Sequence, residues 1–186
     1  MKLLLATRNP GKIREQGAAL AACGVEVVGL DDWPDLAPPE EPGPTFLDNA
    51  VVKAMYYHRA TGLAALGEDS GLEVEALGGE PGIHSARWMG EKTSYDVKNA
   101  KLIEALAGLP ATKRKARFVS TAAIADQGTV LFKTVETVEG LIAEVPRGNG
   151  GFGYDPIFYY PPIRKCFAEL TLDEKRLYDH RGKAMA

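Results

Sequence analysis

The stretch TRNPGK, residues 7–12, is the first in the chain whose residue types point to chemistry. A turn that leads into a helix presents backbone N–H groups and a favourable dipole to an anion, and Lys12 adds a mobile positive charge. Residues 6–13 nearly match the phosphate-binding pattern G-x-x-x-x-G-K-[ST], but Ala6 replaces the first glycine and Ile13 replaces the hydroxyl that would hold magnesium. The stretch therefore predicts a phosphate-binding turn whose metal is held elsewhere, with an ordinary strand-to-helix turn as the alternative.

Acidic residues in two places offer the missing metal ligands. Glu68 and Asp69 are adjacent in GEDSGLEV, and Glu40 and Glu41 lie upstream in a proline-rich segment, residues 31–44. Carboxylate oxygens are the hard ligands that magnesium prefers. Because an apolar run ends at the adjacent pair, we expect that pair at a strand terminus, where open α/β sheets bind ligands. A surface turn explains the pair equally well in isolation, and the proline-rich segment either closes over a site or only connects.

Cations and hydrogen-bond donors recur in stretches with helical patterns. Asn49 and Lys53 are four residues apart in DNAVVKA and share a helix face, although a lysine on a helix edge is usually only solvated. Near the end of the chain, Lys175 precedes the donor pair His180 and Arg181, for which a charged terminal helix is the plain alternative.

A glycine-rich run, RGNGGFGYDP, carries two aromatic residues. Its four glycines among residues 148–153 allow close approach of the backbone, and Phe152 and Tyr154 lie within or beside the run. Aromatic residues in a glycine loop seldom belong to a core, so we expect a platform for a flat ligand such as a nucleobase. Asp155 adds an acceptor beside it.

Composition restricts the class of protein. The 186 residues suit one domain or two small lobes, with 45% hydrophobic and 25% charged residues, as in ordinary soluble proteins. A net charge of −3 gives no general attraction to nucleic acid or to anionic membranes. Cys23 and Cys166 show no metal or disulfide spacing, and no signal peptide or membrane-spanning run is found, so a cytoplasmic protein is expected.

The pattern of elements predicts an α/β fold, because strand, helix and strand alternate at the start of the chain. Three threonines, Thr45, Thr93 and Thr171, each precede a carboxylate by three residues and predict capped helix starts. The lobes, if there are two, share one sheet. The expected strands cover residues 3–6, 25–29, 116–125 and 129–145, and the expected helices cover residues 12–22, 46–60, 94–107 and 172–178.

Six segments in order resemble one known family: TRNPGK, DNAVVKA, EDSGLEVEALGGEPGIHSARW, GNGGFGYDPIF, AEL followed by DEK, and HRGKA. The chain resembles, from end to end, the inosine triphosphatase-like or HAM1-like enzymes, which are pyrophosphatases of non-canonical purine nucleoside triphosphates. The resemblance implies one two-lobed domain over residues 1–186, with an elongated mixed sheet, flanking helices and a central cleft. It also implies a homodimer that hydrolyses ITP, dITP and XTP to the monophosphate and pyrophosphate with Mg²⁺, cleansing the nucleotide pool.

The resemblance also implies roles for individual residues. Asp69 is the implied proton acceptor, and Glu41 and Asp69 are the implied metal ligands. Lys53 adds charge neutralisation, and Asn9 and Lys12 are the main triphosphate contacts. The implied substrate contacts are Thr7, Arg8, Asn9, Pro10, Gly11, Lys12, Lys53 and Ser70, with Phe152, Gly153, Tyr154, Asp155, Lys175, His180 and Arg181 near the base. The phosphate turn, Asp69 and Phe152 are expected to face one groove.

Two departures and two alternatives accompany the resemblance. Family members commonly have serine where this chain has Asp179, and they continue into a C-terminal helix beyond Ala186. The sister pyrophosphatases of modified pyrimidine nucleotides are one alternative, although their opening motif differs from TRNPGK. A P-loop-like GTPase or phosphotransferase is the other, and Ile13 argues against it.

Overall fold

The computed structural model describes residues 2–21 and 23–185. Within these ranges no helix is long and apolar enough to cross a membrane. The strands and α-helices are, in chain order, β1 Lys2–Leu5, α1 Pro10–Ala21, β2 Glu26–Val28, α2 Phe46–Thr61, β3 Ala64–Val74, α3 Tyr95–Ala105, β4 Lys115–Asp126, β5 Thr129–Ile142, β6 Phe158–Tyr160, β7 Lys165–Cys166, α4 Leu172–Tyr178 and α5 His180–Ala184. The expected end of the first helix, Ala22, lies outside the described residues.

The strands form one open mixed sheet, which confirms the predicted fold class. Its order is β2-β1-β3-β4-β5-β6-β7 in the described part of the chain. β1 is parallel to β2 and β3, whereas β6 is antiparallel to both β5 and β7. Leu3, Leu4 and Leu5 of β1 are all buried, as expected for a parallel strand covered on both faces.

The chain divides into two compact units, and each has its own core. The first unit comprises Met1–Ser70, Ser120–Glu136 and Arg181–Ala186, and the second comprises Gly71–Val119 and Thr137–His180. Apolar side chains of β1 and β3 pack with α1 residues in the first unit. Aromatic side chains from β4, β6 and the segment after β7 pack together in the second. The unit boundaries fall within β3, β4, β5 and α5.

The acidic pair lies inside β3, so the prediction of a strand terminus was wrong. β3 continues through Glu68 and Asp69 to Val74, and both acids are buried. The strand tolerates them because each carboxylate pairs with a cation from elsewhere in the first unit. Gly67 brings β3 directly against α2, since a Cβ at Gly67 would overlap the carbonyl oxygen of Ala50.

Two of the three predicted caps are confirmed. Thr45 and Thr171 each accept a hydrogen bond from the N–H three residues on, at the starts of α2 and α4. The cap predicted at Thr93 is wrong, because Ser94 caps α3 instead. The Thr93 hydroxyl donates to the carbonyl of Met89 at 2.7 Å, so it is used by the preceding turn.

Candidate active site

The turn between β1 and α1 is held by its own polar side chains. The Thr7 hydroxyl accepts from the Asn9 N–H at 3.1 Å, and Asn9 Oδ1 accepts from the N–H groups of Gly11 at 2.9 Å and Lys12 at 3.2 Å. Two of the N–H groups expected to meet an anion are therefore occupied by Asn9. Positive potential at this turn comes chiefly from the Lys12 ammonium and the dipole of α1.

Lys12 and Arg181 hold the carboxylate of Glu68 from two sides. Lys12 Nζ lies 2.8 Å from Glu68 Oε2, and Arg181 Nε lies 3.3 Å from Oε1. The Ser120 hydroxyl donates to Oε1 at 3.2 Å. Burial alone raises the pKa of Glu68, but the charges of Lys12 and Arg181 outweigh it and lower that pKa to about 2. Glu68 is therefore a fixed negative charge.

Arg181 contacts three polar side chains of the first unit. Besides Glu68, its guanidinium lies 3.1 Å from Glu15 Oε2 and donates to the Ser70 hydroxyl at 2.7 Å. Glu15 is buried on α1, and Ser70 follows the acidic pair in β3. The structure therefore places Arg181 and Ser70, both expected substrate contacts, beside the acids of β3.

Asp69 projects to the opposite face of β3 from Glu68, as successive residues of a strand do. Its Oδ1 lies 3.0 Å from Lys53 Nζ, and its Oδ2 accepts from Asn49 at 3.4 Å. Burial raises the pKa of Asp69, and Lys53 and Lys12 oppose this too weakly to cancel it. Burial lowers the pKa of Lys53, but Asp69 and Glu41 outweigh it, so that pKa is raised and Lys53 is charged.

The ion pairs around Glu68 and Asp69 form a charged network in the first unit. Glu41 joins it through Lys53, at 3.2 Å from Nζ. The ion pairs described for this network among residues 2–21 and 23–185 link the cations Lys12, Lys53 and Arg181 to the carboxylates Glu15, Glu41, Glu68 and Asp69. The carboxylates of this network repel a polyanion, and a bound cation would offset that repulsion.

The donors around Lys53 suit Mg²⁺. Glu41 and Asp69 each place a carboxylate oxygen beside Lys53 Nζ, at 3.2 Å and 3.0 Å. Mg²⁺ is commonly held by one or two carboxylates together with substrate phosphates. Among residues 2–21 and 23–185, no group of three or more His, Cys, Asp and Glu side chains is arranged as a complete protein metal site. The donor set therefore fits a metal that is shared with a phosphate ligand.

Arg8 binds the proline-rich segment, residues 31–44. Its guanidinium donates to the carbonyls of Trp33 at 2.7 Å and Leu36 at 3.3 Å. The Tyr56 hydroxyl donates to the carbonyl of Ala37 at 2.9 Å. Arg8, an expected substrate contact, thus ties the segment to the phosphate turn, and Pro10 lies exposed at the start of α1.

In the second unit, Asp155 closes the glycine-rich loop. Its Oδ2 accepts from the N–H of Phe152 at 2.8 Å and from Lys175 Nζ at 2.6 Å. Gly151 has φ of +67°, and a Cβ there would overlap the same oxygen. The glycines do permit close approach, as predicted, but here the backbone approaches side chains and backbone of its own unit.

Lys175 lies almost fully buried beneath this loop, with 2% of its side chain exposed. Its Nζ is 2.6 Å from Asp155 and 3.8 Å from Asp179. It also lies 5.4 Å from the centre of the half-buried Phe152 ring, within range of a cation–π contact. Asp179, the departure from the resembled family, therefore adds a second carboxylate to this lysine.

Tyr154 belongs to the core, so the interpretation that the loop's aromatic residues avoid the core was wrong for this one. Its hydroxyl donates to the carbonyl of Ser85 at 2.8 Å, and its ring meets Tyr95 edge-on at 5.2 Å. The His180 ring is also fully buried and stacks on Phe118 at 4.5 Å. Phe152 and Gly153 remain partly exposed.

Sequence reasoning missed several residues that support the acids. Ser120 binds the Glu68 carboxylate, and the Thr121 hydroxyl donates to the backbone carbonyl of Asp69 at 3.0 Å. The signal was two adjacent hydroxyls in the otherwise apolar run FVSTAAIA. Glu15 was missed because its partner, Arg181, is 166 residues away.

The expected site residues fall into two groups, one in each unit. The first unit holds Thr7, Arg8, Asn9, Pro10, Gly11, Lys12, Glu41, Lys53, Asp69, Ser70 and Arg181. The second unit holds Phe152, Gly153, Tyr154, Asp155, Lys175 and His180. That the two groups face one groove stays a prediction.

Comparison with known proteins gives full-length matches. The model of the Ham1 family matches residues 3–186. A dITP/XTP pyrophosphatase of Thermus thermophilus is 51% identical over 185 residues, which cover 100% of this chain and 88% of that protein. The dITP/XTP pyrophosphatase of Desulforamulus reducens is 45% identical, over 100% of this chain and 92% of that protein.

Solved structures of similar proteins superimpose on this chain over its whole length. A HAM1 protein from Coxiella burnetii superimposes with a TM-score of 0.86 at 35% identity, covering 100% of this chain and 94% of the other. A nucleoside-triphosphatase, or dITP/XTP pyrophosphatase, from Mycobacterium abscessus superimposes with a TM-score of 0.76 at 40% identity, covering 100% and 96%.

Proposed function

The chain belongs to the Ham1 family, and from this premise we propose that it hydrolyses dITP, ITP and XTP to the nucleoside monophosphate and pyrophosphate. The observation that carries the proposal is full-length identity of 51% to a dITP/XTP pyrophosphatase, in a chain whose first unit pairs Asp69 with Lys53. Removal of such triphosphates cleanses the nucleotide pool. A cytoplasmic homodimer is proposed with it, from the resemblance of the six segments.

Asp69 is the proposed general base. A water oxygen bonds to the α-phosphorus, the bond from that phosphorus to the bridging oxygen of the β-phosphate breaks, and pyrophosphate leaves. Asp69 takes the proton that the water loses. Its raised pKa supports this role, because a base is most effective when its pKa approaches the working pH. Glu68 is less suited, since its pKa of about 2 leaves it a weak base.

Mg²⁺ is the proposed metal, with Glu41 and Asp69 as its protein ligands. When bound, Mg²⁺ polarises phosphate oxygens and offsets the negative charge of the triphosphate. Lys12 and Lys53 add positive charge near these carboxylates and stabilise the charge that develops on pyrophosphate. Because the carboxylates of Glu41 and Asp69 would repel the triphosphate, we expect hydrolysis to require the metal.

The loop of the second unit is the proposed base contact. The half-buried Phe152 ring offers a face for stacking, and Asp155 and Lys175 hold the loop rigid around it. Hypoxanthine and xanthine carry a carbonyl oxygen at position 6, where adenine carries an amino group. A hydrogen-bond donor of the site that binds this oxygen would be left unpaired when adenine is bound. An unpaired donor of this kind supports a preference of about 10⁴-fold for ITP and XTP over ATP.

Product analysis tests the function. The protein is incubated with ITP, XTP, GTP, ATP and dUTP, with and without Mg²⁺, and products are separated by anion exchange. We expect monophosphate and pyrophosphate from ITP and XTP only with Mg²⁺. Diphosphate and inorganic phosphate would indicate a γ-phosphate hydrolase, and cleavage of dUTP would indicate the pyrimidine-specific alternative.

A further inference from the structure

Asn49 joins two parts of the charged network that are distant in sequence. Its side chain is completely buried on α2. Its Oδ1 accepts from the N–H of Gly43 at 2.8 Å, and its Nδ2 donates to Asp69 Oδ2 at 3.4 Å. Only this orientation of the amide satisfies both neighbours, because a backbone N–H can only donate and an ionised carboxylate can only accept.

The Gly43 contact reaches the segment that carries Glu41, two residues earlier. A Cβ at Gly43 would lie 2.6 Å from Asn49 Oδ1, so the absence of a side chain lets this backbone approach α2. Glu41 in turn contacts Lys53, which contacts Asp69 Oδ1. The two oxygens of Asp69 are therefore held by different groups, one charged and one neutral.

α2 supplies both of these groups on one face, because Asn49 and Lys53 are four residues apart. The distance from α2 to β3 is set by the backbone at Gly67, where a Cβ would lie 2.5 Å from the N atom of Ala54. Asn49 therefore contacts Asp69 across a helix–strand contact in which the two backbones touch at Gly67.

We propose that Asn49 is a positioning residue that fixes Glu41 and Asp69 relative to each other as a pair of metal ligands. The proposal rests on the proposed function, since it concerns the same site. Without Asn49, Lys53 still contacts both carboxylates, but the Glu41 segment loses its anchor at Gly43, and Asp69 is held at one oxygen only. Loss of such a supporting contact typically weakens metal binding or activity 10-fold to 100-fold.

The test uses Asn49→Leu, which has nearly the same shape and no hydrogen-bonding group, and Asn49→Ser, which is smaller and polar. Mn²⁺ binding to the nucleotide-free protein is measured by electron paramagnetic resonance of the free ion. Hydrogen exchange of peptides that contain Gly43 is followed by mass spectrometry. We expect Mn²⁺ affinity about 10-fold weaker in both variants and faster exchange at Gly43.

Asn99→Leu is the matched control. Asn99 is a buried asparagine of the second unit that donates to the carbonyl of Gly153 at 3.1 Å. Its replacement removes an equivalent amide without touching Gly43 or Asp69. We expect wild-type Mn²⁺ affinity and wild-type exchange at Gly43 in this variant.

Several results would overturn the proposal. One is wild-type Mn²⁺ affinity or wild-type hydrogen exchange at Gly43 in a folded Asn49 variant. Another is the absence of Mn²⁺ binding by the wild-type protein. The third is unfolding of both Asn49 variants below the assay temperature, which would mean that Asn49 is a purely structural residue. Failure of the proposed function is recognised separately, because the wild-type protein would then not hydrolyse dITP. The hydrogen-exchange and Mn²⁺ measurements do not depend on hydrolysis and can still be interpreted.

Discussion

The two units each bury a lysine against carboxylates, yet they do so differently. In the second unit, Lys175 and Asp155 each have only 2% of the side chain exposed. In the first unit, Lys12 is 15% exposed and Glu41 is 28% exposed, whereas their partners Glu68 and Lys53 are buried. The second arrangement is a sealed pair that shapes a loop. The first is a more accessible network, and we propose that its members exchange partners for phosphate and metal.

From this difference we propose that the first unit carries the chemistry and that the second unit recognises the base. A sealed ion pair costs much to rearrange, because either ion left alone in the interior is poorly solvated. A partly exposed network exchanges its partners for a ligand at smaller cost. Substitution of Asp69 in the first unit should therefore reduce catalysis more than stability, and substitution of Lys175 in the second unit should do the reverse.

Asp69→Asn is expected to give the largest effect. The amide cannot accept the proton from water, so kcat should fall about 10³-fold, within the usual contribution of a general base. Binding of a non-hydrolysable α,β-methylene analogue of dITP, measured by calorimetry, should change little. A variant that turns over dITP at a near-normal rate would remove Asp69 from the chemistry.

Lys175→Met tests how much the buried ion pair of the second unit contributes to stability. It leaves Asp155 and Asp179 buried without their ammonium, so the free energy of unfolding should fall by about 3–5 kcal/mol. Urea unfolding followed by circular dichroism measures this loss.

Lys12→Met is the matched variant in the first unit. Glu68 keeps Arg181 and Ser120 there, so the loss of stability should be smaller than for Lys175→Met. Equal losses in the two variants would contradict the distinction between a sealed pair and an accessible network.

Glu68→Gln tests the buried carboxylate of the first unit's network through the dependence of stability on pH. The pKa of Glu68 is lowered from 4.5 to about 2, because Lys12 and Arg181 outweigh the opposing effect of burial. Ionised Glu68 therefore contributes stability that is fully present above pH 4.5 and is lost as the pH falls towards 2. The contribution is about 3 kcal/mol at neutral pH.

Urea unfolding of the wild-type and Glu68→Gln proteins in EDTA, from pH 7 to pH 2, measures this contribution. The stability gap between the two proteins should narrow across the acid window. A gap that does not depend on pH would mean that the charge of Glu68 is not what stabilises the fold.

Local signals in the sequence predicted much of the fold. The strand-turn-helix start was recognisable because Pro10 and Gly11 follow an apolar run, and Thr45 and Thr171 marked two helix starts within one turn. Resemblance to a family added the mixed sheet. These features depend on residues close together in the chain.

Long-range partners explain what the sequence did not reveal. Glu68 and Asp69 suggested a strand terminus or a surface turn because the cations that pair with them inside β3, among them Lys12 and Arg181, lie far away in sequence. Tyr154 suggested an exposed platform because its partner, the carbonyl of Ser85, is 69 residues distant. The sequence shows which residues are charged or aromatic, but it does not show which distant residues pack against them and bury them.

Asn99→Ala should give the smallest effect, and it sharpens the division between the units. Asn99 donates to the carbonyl of Gly153, so its loss frees the loop proposed to hold the base without touching the first unit. One hydrogen bond of about 1 kcal/mol corresponds to a KM for dITP raised about fivefold. Steady-state kinetics should show kcat unchanged, because the groups proposed to perform the chemistry are intact. A fall in kcat with KM unchanged would place the loop in the chemical step and would break the separation of chemistry from recognition.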